Sequence, residues 1–151
     1  MNAEIQTGLM KSIVSNEEMY LLVNKVVVPC KPFGIVPLES LGKKSGQSTE
    51  CGRELKLFFQ NHPHAYNFAR EHLYKEQTYH IEFLKEGCVL YGNGPETYSE
   101  MLLREGLAVL EKTFSDSEWN WKLKRAFQGA ERMKTGYHDS AAKNLCIEDV
   151  Q

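Results

Sequence analysis

The chain has 151 residues, 42% of them apolar and 25% charged, which suits one globular core and is too short for two. Its formal net charge of -2 gives no global electrostatic reason to seek nucleic acid, although a local basic face stays open. No apolar run reaches the roughly 18 residues of a membrane span, and MNAEIQTGLMK has no basic start followed by an apolar block. A soluble intracellular chain, cytoplasmic or nuclear, is therefore expected.

Ile5 to Ile13 and Glu18 to Val28 are β-rich runs, the second interrupted at Asn24-Lys25. They predict an antiparallel meander of three strands with Val26-Val27-Val28 the most buried part. Pro29 and Pro32 end it, since proline cannot donate to a ladder. Residues 33 to 47, FGIVPLESLGKKSGQ, read as a loop with a polar, mobile second half, in which Lys43-Lys44 reads as solvated.

Ser48 or Thr49 caps a predicted helix running to about Asn61, with Cys51, Leu55, Phe58 and Phe59 on one face and Pro63 closing it. Residues 65 to 76 have two readings. Ala65 to Glu71 is taken as a strand paired with Tyr79 to Phe83; the alternative is a helix using Ala65, Phe68, Ala69 and Leu73. Lys85-Glu86-Gly87 is a turn, Cys88 to Tyr91 a short extension, and Gly92 to Pro95 a loop.

Glu96 to Leu110 carries the clearest local signals. Thr97 and Glu100 have capping-box spacing, Tyr98, Met101 and Leu102 form an apolar stripe, and Gly106 suits a left-handed residue before the buried connector Leu107 to Leu110. Ser115 and Glu118 repeat the capping-box spacing ahead of a helix with Trp119, Leu123, Ala126, Phe127, Ala130 and Met133 on its apolar side, ended by Gly136. Its other side holds Lys122, Lys124, Arg125, Arg132 and Lys134, most simply a solvated face.

The order predicts an α+β fold: a five-stranded OB-fold-like barrel with three α-helices. Residues 1–138 form one domain and residues 139–151 a disordered tail. Cys30, Cys51, Cys88 and Cys146 stand far apart without a Cys-x-x-Cys pair, and are read as free thiols in a reducing compartment. His62, His64, His72 and His80 cluster in sequence, but no metal site is expected, and no cofactor.

With that order, TGLMKSIVSNEEMYLLV resembles the first hairpin of staphylococcal-nuclease-like domains, and LLREGLAVL their helix-Gly-Leu-Ala segment. The terminal amphipathic helix with basic residues is similar too, and the resemblance spans roughly residues 5 to 137. It implies a calcium ion held by carboxylates, a glutamate that activates water and two arginines that clamp the phosphate. Position by position, this sequence departs from that set. The first acidic position falls on Asn16, a second calcium ligand on Cys30 and the general base on Phe33. The first arginine falls on Lys25, and the second on Gln77 if Ala65 to Glu71 is a strand or on Lys85 if it is helical. Lysine cannot form the planar bidentate clamp.

Calcium-dependent cleavage is accordingly not expected, and two functions of different class remain. One is a catalytically inactive domain of this kind serving as a protein-interaction scaffold, as in the Tudor-containing relatives of RNA silencing and RNA regulation. Its candidate surface is Phe33, Ile35, Trp119 and Trp121, with Trp121 off the apolar stripe as the anchor. The other is binding of single-stranded RNA or DNA without cleavage, using Lys25, Lys31 and strand aromatics, or phosphate contacts from Lys122 and Arg125.

Overall fold

The computed structural model describes residues 5–85, 87–114 and 116–146. Along the chain lie β1 (Gln6–Ser15), β2 (Glu18–Val23), β3 (Val26–Cys30), β4 (Ile35–Pro37), α1 (Leu38–Ser45), α2 (Glu50–Asn61), α3 (Pro63–Tyr66), α4 (Phe68–His72), β5 (Thr78–Leu84), β6 (Gly87–Asn93) and β7 (Glu96–Thr97). There follow α5 (Tyr98–Arg104), β8 (Ala108–Leu110), α6 (Ser117–Met133), a 3-10 turn at Gly136–Asp139 and α7 (Ala142–Leu145). The chain is α+β and divides into two compact units: residues up to Phe33 with Asn67–Ser99, and Gly34–Tyr66 with residues from Glu100 onward.

The first unit is built on an antiparallel sheet of strand order β3-β2-β1-β5-β6-β7. The expected meander forms, with Leu9 opposite Leu22 and Val23 opposite Val26. Asn24 and Lys25 both take positive φ, 50° and 69°, the conformation a tight two-residue hairpin needs. Met10, Met19, Leu21, Ile81, Val89 and Leu90 make its core. As a ladder the sheet is open, six strands with β3 and β7 at its ends, where the sequence led to a five-stranded OB-fold-like barrel. One parallel bridge, Pro32 with Cys88, joins the chain just after β3 to β6. Val26 and Val27 are not the most buried part of the meander: they are 58% and 54% exposed, because β3 ends the sheet and, among the described residues, no strand hydrogen-bonds to its far side. Residues flanking a two-residue hairpin turn bond to each other, so counting in twos leaves Val27 and Pro29 facing away from β2. Proline offers no N–H there, which blunts the edge against stray strand pairing.

Residues 65 to 72 are helical, against the strand reading. Pro63 opens α3, Phe68 and Ala69 of α4 are buried, and Leu73 follows them at helical spacing. β5 takes β1 as its partner instead, Gln6 opposite Ile81.

In the second unit, the stretch expected to be a loop forms β4 and α1. Leu38 and Leu41 are fully buried one turn apart, Glu39 sits in the first turn and Lys43 and Lys44 in the last, matching the helix dipole. β4 pairs with β8, Val36 opposite Val109. Thr49 caps α2 by accepting from the Gly52 N–H. Gly106 has φ 69° as expected, and a side chain there would strike the Thr135 carbonyl oxygen.

Asp116 caps α6 by accepting from the Glu118 and Trp119 N–H groups; the expected cap Ser115 lies outside the described residues. The helix ends in left-handed Lys134 rather than at Gly136. Its buried side is Trp119, Leu123 and Ala130, while Met133, expected on it, is 79% exposed on the last turn. The part of the predicted disordered tail from Asp139 to Cys146 is folded, with Ala142 and Cys146 fully buried. Residues 147–151 lie outside the described residues. The cysteines are not free thiols. Cys30 bonds to Cys88 and Cys51 to Cys146.

Candidate functional site

The positions that the resemblance assigns to catalysis carry other work in the first unit. Asn16, in the turn after β1, is 1% exposed; its Oδ1 accepts from the Ala69 N–H at 2.9 Å and its backbone oxygen from the Tyr98 hydroxyl at 2.8 Å. It thereby ties the β1–β2 turn to α4 and to the first residue of α5. A buried amide with these partners is a structural cross-link.

Cys30 spends its sulfur on Cys88. Around that bond, the Cys88 N–H donates to the Lys31 oxygen at 2.8 Å and the Phe33 N–H to the Cys88 oxygen at 3.3 Å. A disulfide sulfur has no anionic oxygen to offer a hard cation. Phe33 is fully buried, and its carbonyl accepts from the Ser99 hydroxyl at 2.7 Å. It presents no ring to a partner, and a hydrocarbon cannot take a proton from water.

Lys25 sits in the β2–β3 turn and is exposed. Lys31 is exposed just beyond the other end of β3, so the two basic residues flank that strand instead of meeting. With residues 65 to 72 helical, the resemblance assigns its second arginine to Lys85, exposed in the turn between β5 and β6. Gln77, the alternative, is held in place by its backbone: its oxygen accepts from the Met10 N–H at 2.9 Å.

Two of the four clustered histidines turn to their own helices. His62 and His72 each place Nδ1 2.9 Å from the carbonyl four residues back, on Phe58 and Phe68, and stack on those same rings. No cluster of three metal-ligating side chains occurs among the described residues.

The second unit holds a different kind of surface. On α6, Trp119 and Leu123 point into the core, and Trp121 stands 55% exposed. Ile35 and Trp119, expected to share that surface, are buried. The Lys122 ammonium lies 4.7 Å from the Trp119 ring centre and 5.9 Å from that of Trp121, braced over a buried and an exposed indole at once. Arg125 follows Trp121 by one helical turn and, like Lys124, is exposed. An open indole beside fixed and free cations combines the residue types that dominate binding hot spots.

His138 was not singled out in the sequence. It is 4% exposed, both ring nitrogens lack a hydrogen-bond partner among the described residues, and it packs edge-on against Phe127 and Tyr137. Burial pushes its pKa down, the Lys143 charge adds to that, and Glu131 opposes it. No known protein family and no curated protein matches this sequence. Among the described residues, no helix is long and apolar enough to cross a membrane.

Proposed function

We propose that this chain is a non-catalytic, staphylococcal-nuclease-like domain with an OB-type barrel, and that it works by binding a protein partner through the Trp121 face of α6. The observation that carries this reading is Trp121 itself: a large indole left half in water on a rigid, well-capped helix, with Lys122 bracing it and Arg125 one turn away. Exposed tryptophan on a rigid element loses little entropy on binding and covers much apolar area when it docks. Support for the non-catalytic half comes from residue chemistry. Asn16, Cys30 and Phe33 are committed to a cross-link, a disulfide and the core.

A second reading has one observation in its favour. Lys122, Lys124 and Arg125 surround Trp121 with cations, as a surface that stacks a base and holds phosphates would require. Salt separates the two: phosphate-driven binding weakens steeply as salt rises, whereas an apolar protein contact does not. The expected cytoplasmic or nuclear setting came from the N-terminal sequence and the lack of an apolar span, and the role in RNA silencing from the resemblance to Tudor-containing relatives. Two disulfides support an oxidising compartment instead.

The test uses wild type, Trp121→Ala and Lys31→Ala as parallel baits, alongside a titration of labelled single-stranded RNA with and without calcium at two salt concentrations. Proteins recovered by wild type and Lys31→Ala but lost with Trp121→Ala are expected. Identical protein sets from all three, or cleavage of the RNA, overturn the reading.

A further inference from the structure

The two disulfides are equally buried yet differently supported. Cys30 and Cys88 have relative exposures of 1% and 2%, Cys51 and Cys146 of 2% and 0%. Reduction of any of these bonds therefore needs a local opening that lets a reductant in, and the cost of the opening decides which bond is attacked.

For Cys30–Cys88 that cost is high. Cys30 lies in β3 opposite Met19 of β2, and Cys88 in β6 opposite Phe83 of β5. The segments that follow are joined again by the Pro32–Cys88 bridge and its backbone hydrogen bonds. Exposing this pair means parting strands of the sheet.

Cys146 sits at the end of a strap, Gly136–Cys146, folded as the 3-10 turn and α7. Within the strap the N–H groups of Ser140, Lys143 and Cys146 donate to Tyr137, Ser140 and Ala142, and the Tyr137 hydroxyl donates to the Lys143 oxygen. These bonds hold the strap to itself. Among the described residues its backbone ties outward are the Tyr137 N–H on the Gly106 oxygen at 2.9 Å and the His138 N–H on the Thr135 oxygen at 3.0 Å, both near the strap's first residue, and the buried His138 ring nitrogens have no hydrogen-bond partner there. Beyond His138, α7 is fixed to α2 by packing and by the disulfide.

The partner end is chemically poised. Cys51 is the second residue of α2, just past the Thr49 cap, where the helix dipole and free N–H groups favour a thiolate. The Ser45 hydroxyl, which donates to the Leu41 oxygen at 2.8 Å, lies 3.1 Å from the Cys51 sulfur and can turn to it. Cys51 is thus the better leaving group, and Cys146 the sulfur to be attacked.

We propose that Cys51–Cys146 is a reducible latch: exchange with a dithiol reductant releases Gly136–Cys146 from α2 while Cys30–Cys88 and the six-stranded sheet remain intact. A donor thiolate attacks the Cys146 sulfur and the bond to Cys51 breaks, with its electron pair leaving on Cys51. The donor's second thiol then resolves the mixed disulfide. Two electrons and two protons pass from the donor, which is oxidised to its own disulfide, and Cys51 and Cys146 become thiols.

The experiment is a titration of the full chain with dithiothreitol in redox buffers of graded potential, read by alkylation mapping and by hydrogen exchange. A window is expected in which Cys51 and Cys146 alkylate and Cys30 and Cys88 do not. In that window amides of the strap should lose protection by about tenfold or more while β1 and β2 amides keep theirs. Cys146→Ser should show the same loose strap without reductant, and Ser45→Ala should slow the first step. Alkylation of all four cysteines together, reduction of Cys30–Cys88 first, or a strap as protected in Cys146→Ser as in wild type would each overturn the latch.

Discussion

Asn16 and Trp121 are opposite uses of a residue. Asn16 is polar and buried, and both its side chain and its backbone oxygen hold neighbouring helices. Trp121 is the largest apolar side chain the chain could have hidden, and it is left 55% exposed on a helix whose other indole is buried. Around Asn16, the positions that the resemblance gives to calcium binding and to the general base, Asn16, Cys30 and Phe33, are absorbed into framework. On α6, a surface that the framework does not need is kept. Substitutions should therefore act on stability in the first place and on binding in the second.

The largest loss of stability is expected at Phe33, fully buried and fixed by the Ser99 hydroxyl on its carbonyl. Phe33→Ala should cost about 3–5 kcal/mol, read as the shift in a urea midpoint, through lost burial and the cavity left behind. A loss below about 1 kcal/mol would mean that the ring is no part of the core and that Phe33 could serve a partner after all.

Asn16→Ala should cost roughly 1–3 kcal/mol, because it strands the buried Ala69 N–H without an acceptor. Asn16→Asp sharpens the comparison. If that change created a calcium site, added calcium would raise the melting temperature of the variant. No rise is expected, since Cys30 and Phe33 supply no side-chain oxygen and the Phe33 carbonyl is taken by the Ser99 hydroxyl.

A smaller effect is expected from acid. His138 has its pKa lowered in the folded chain, chiefly by burial, so folding favours its neutral form. Its contribution is fully present above the unfolded value of about 6.5 and is lost as pH falls through the folded value. The melting temperature should drop between neutral and mildly acid pH, and His138→Phe should flatten that part of the profile. An unchanged slope in the variant would show that other groups titrate there.

How far the sequence foretold this depends on whether its signals were local. The β1–β2–β3 meander, the Thr49 cap and the left-handed Gly106 are written in spacing and turn chemistry, and the structure has all three. Residues 65 to 72 carried strand and helix patterns at once, and the choice fell to which partner β5 took, a long-range matter. Leu38 and Leu41 did mark α1, but Pro37 and Gly42 concealed it behind loop composition. Cysteine pairing had no local mark at all: bonds across 58 and 95 residues follow from the fold and not from the spacing. At the candidate site, Trp121 was legible because it breaks the apolar stripe of its own helix. His138 was not, since nothing near it in sequence announces burial.

The smallest effect on stability belongs to Trp121. With over half of its surface in water, truncation should change the unfolding free energy by no more than about 0.5 kcal/mol, the range of ordinary surface substitutions. Lys122 loses one of its two aromatic neighbours but keeps Trp119, which softens the change further. A partner that docks on the indole should feel the same truncation as 2 kcal/mol or more, about a thirtyfold loss of affinity. Near-silence in folding together with a large loss in binding is the signature of a residue kept for another molecule. A Trp121→Ala chain that unfolds several degrees earlier would instead place the indole in the framework, and the contrast with Asn16 would vanish.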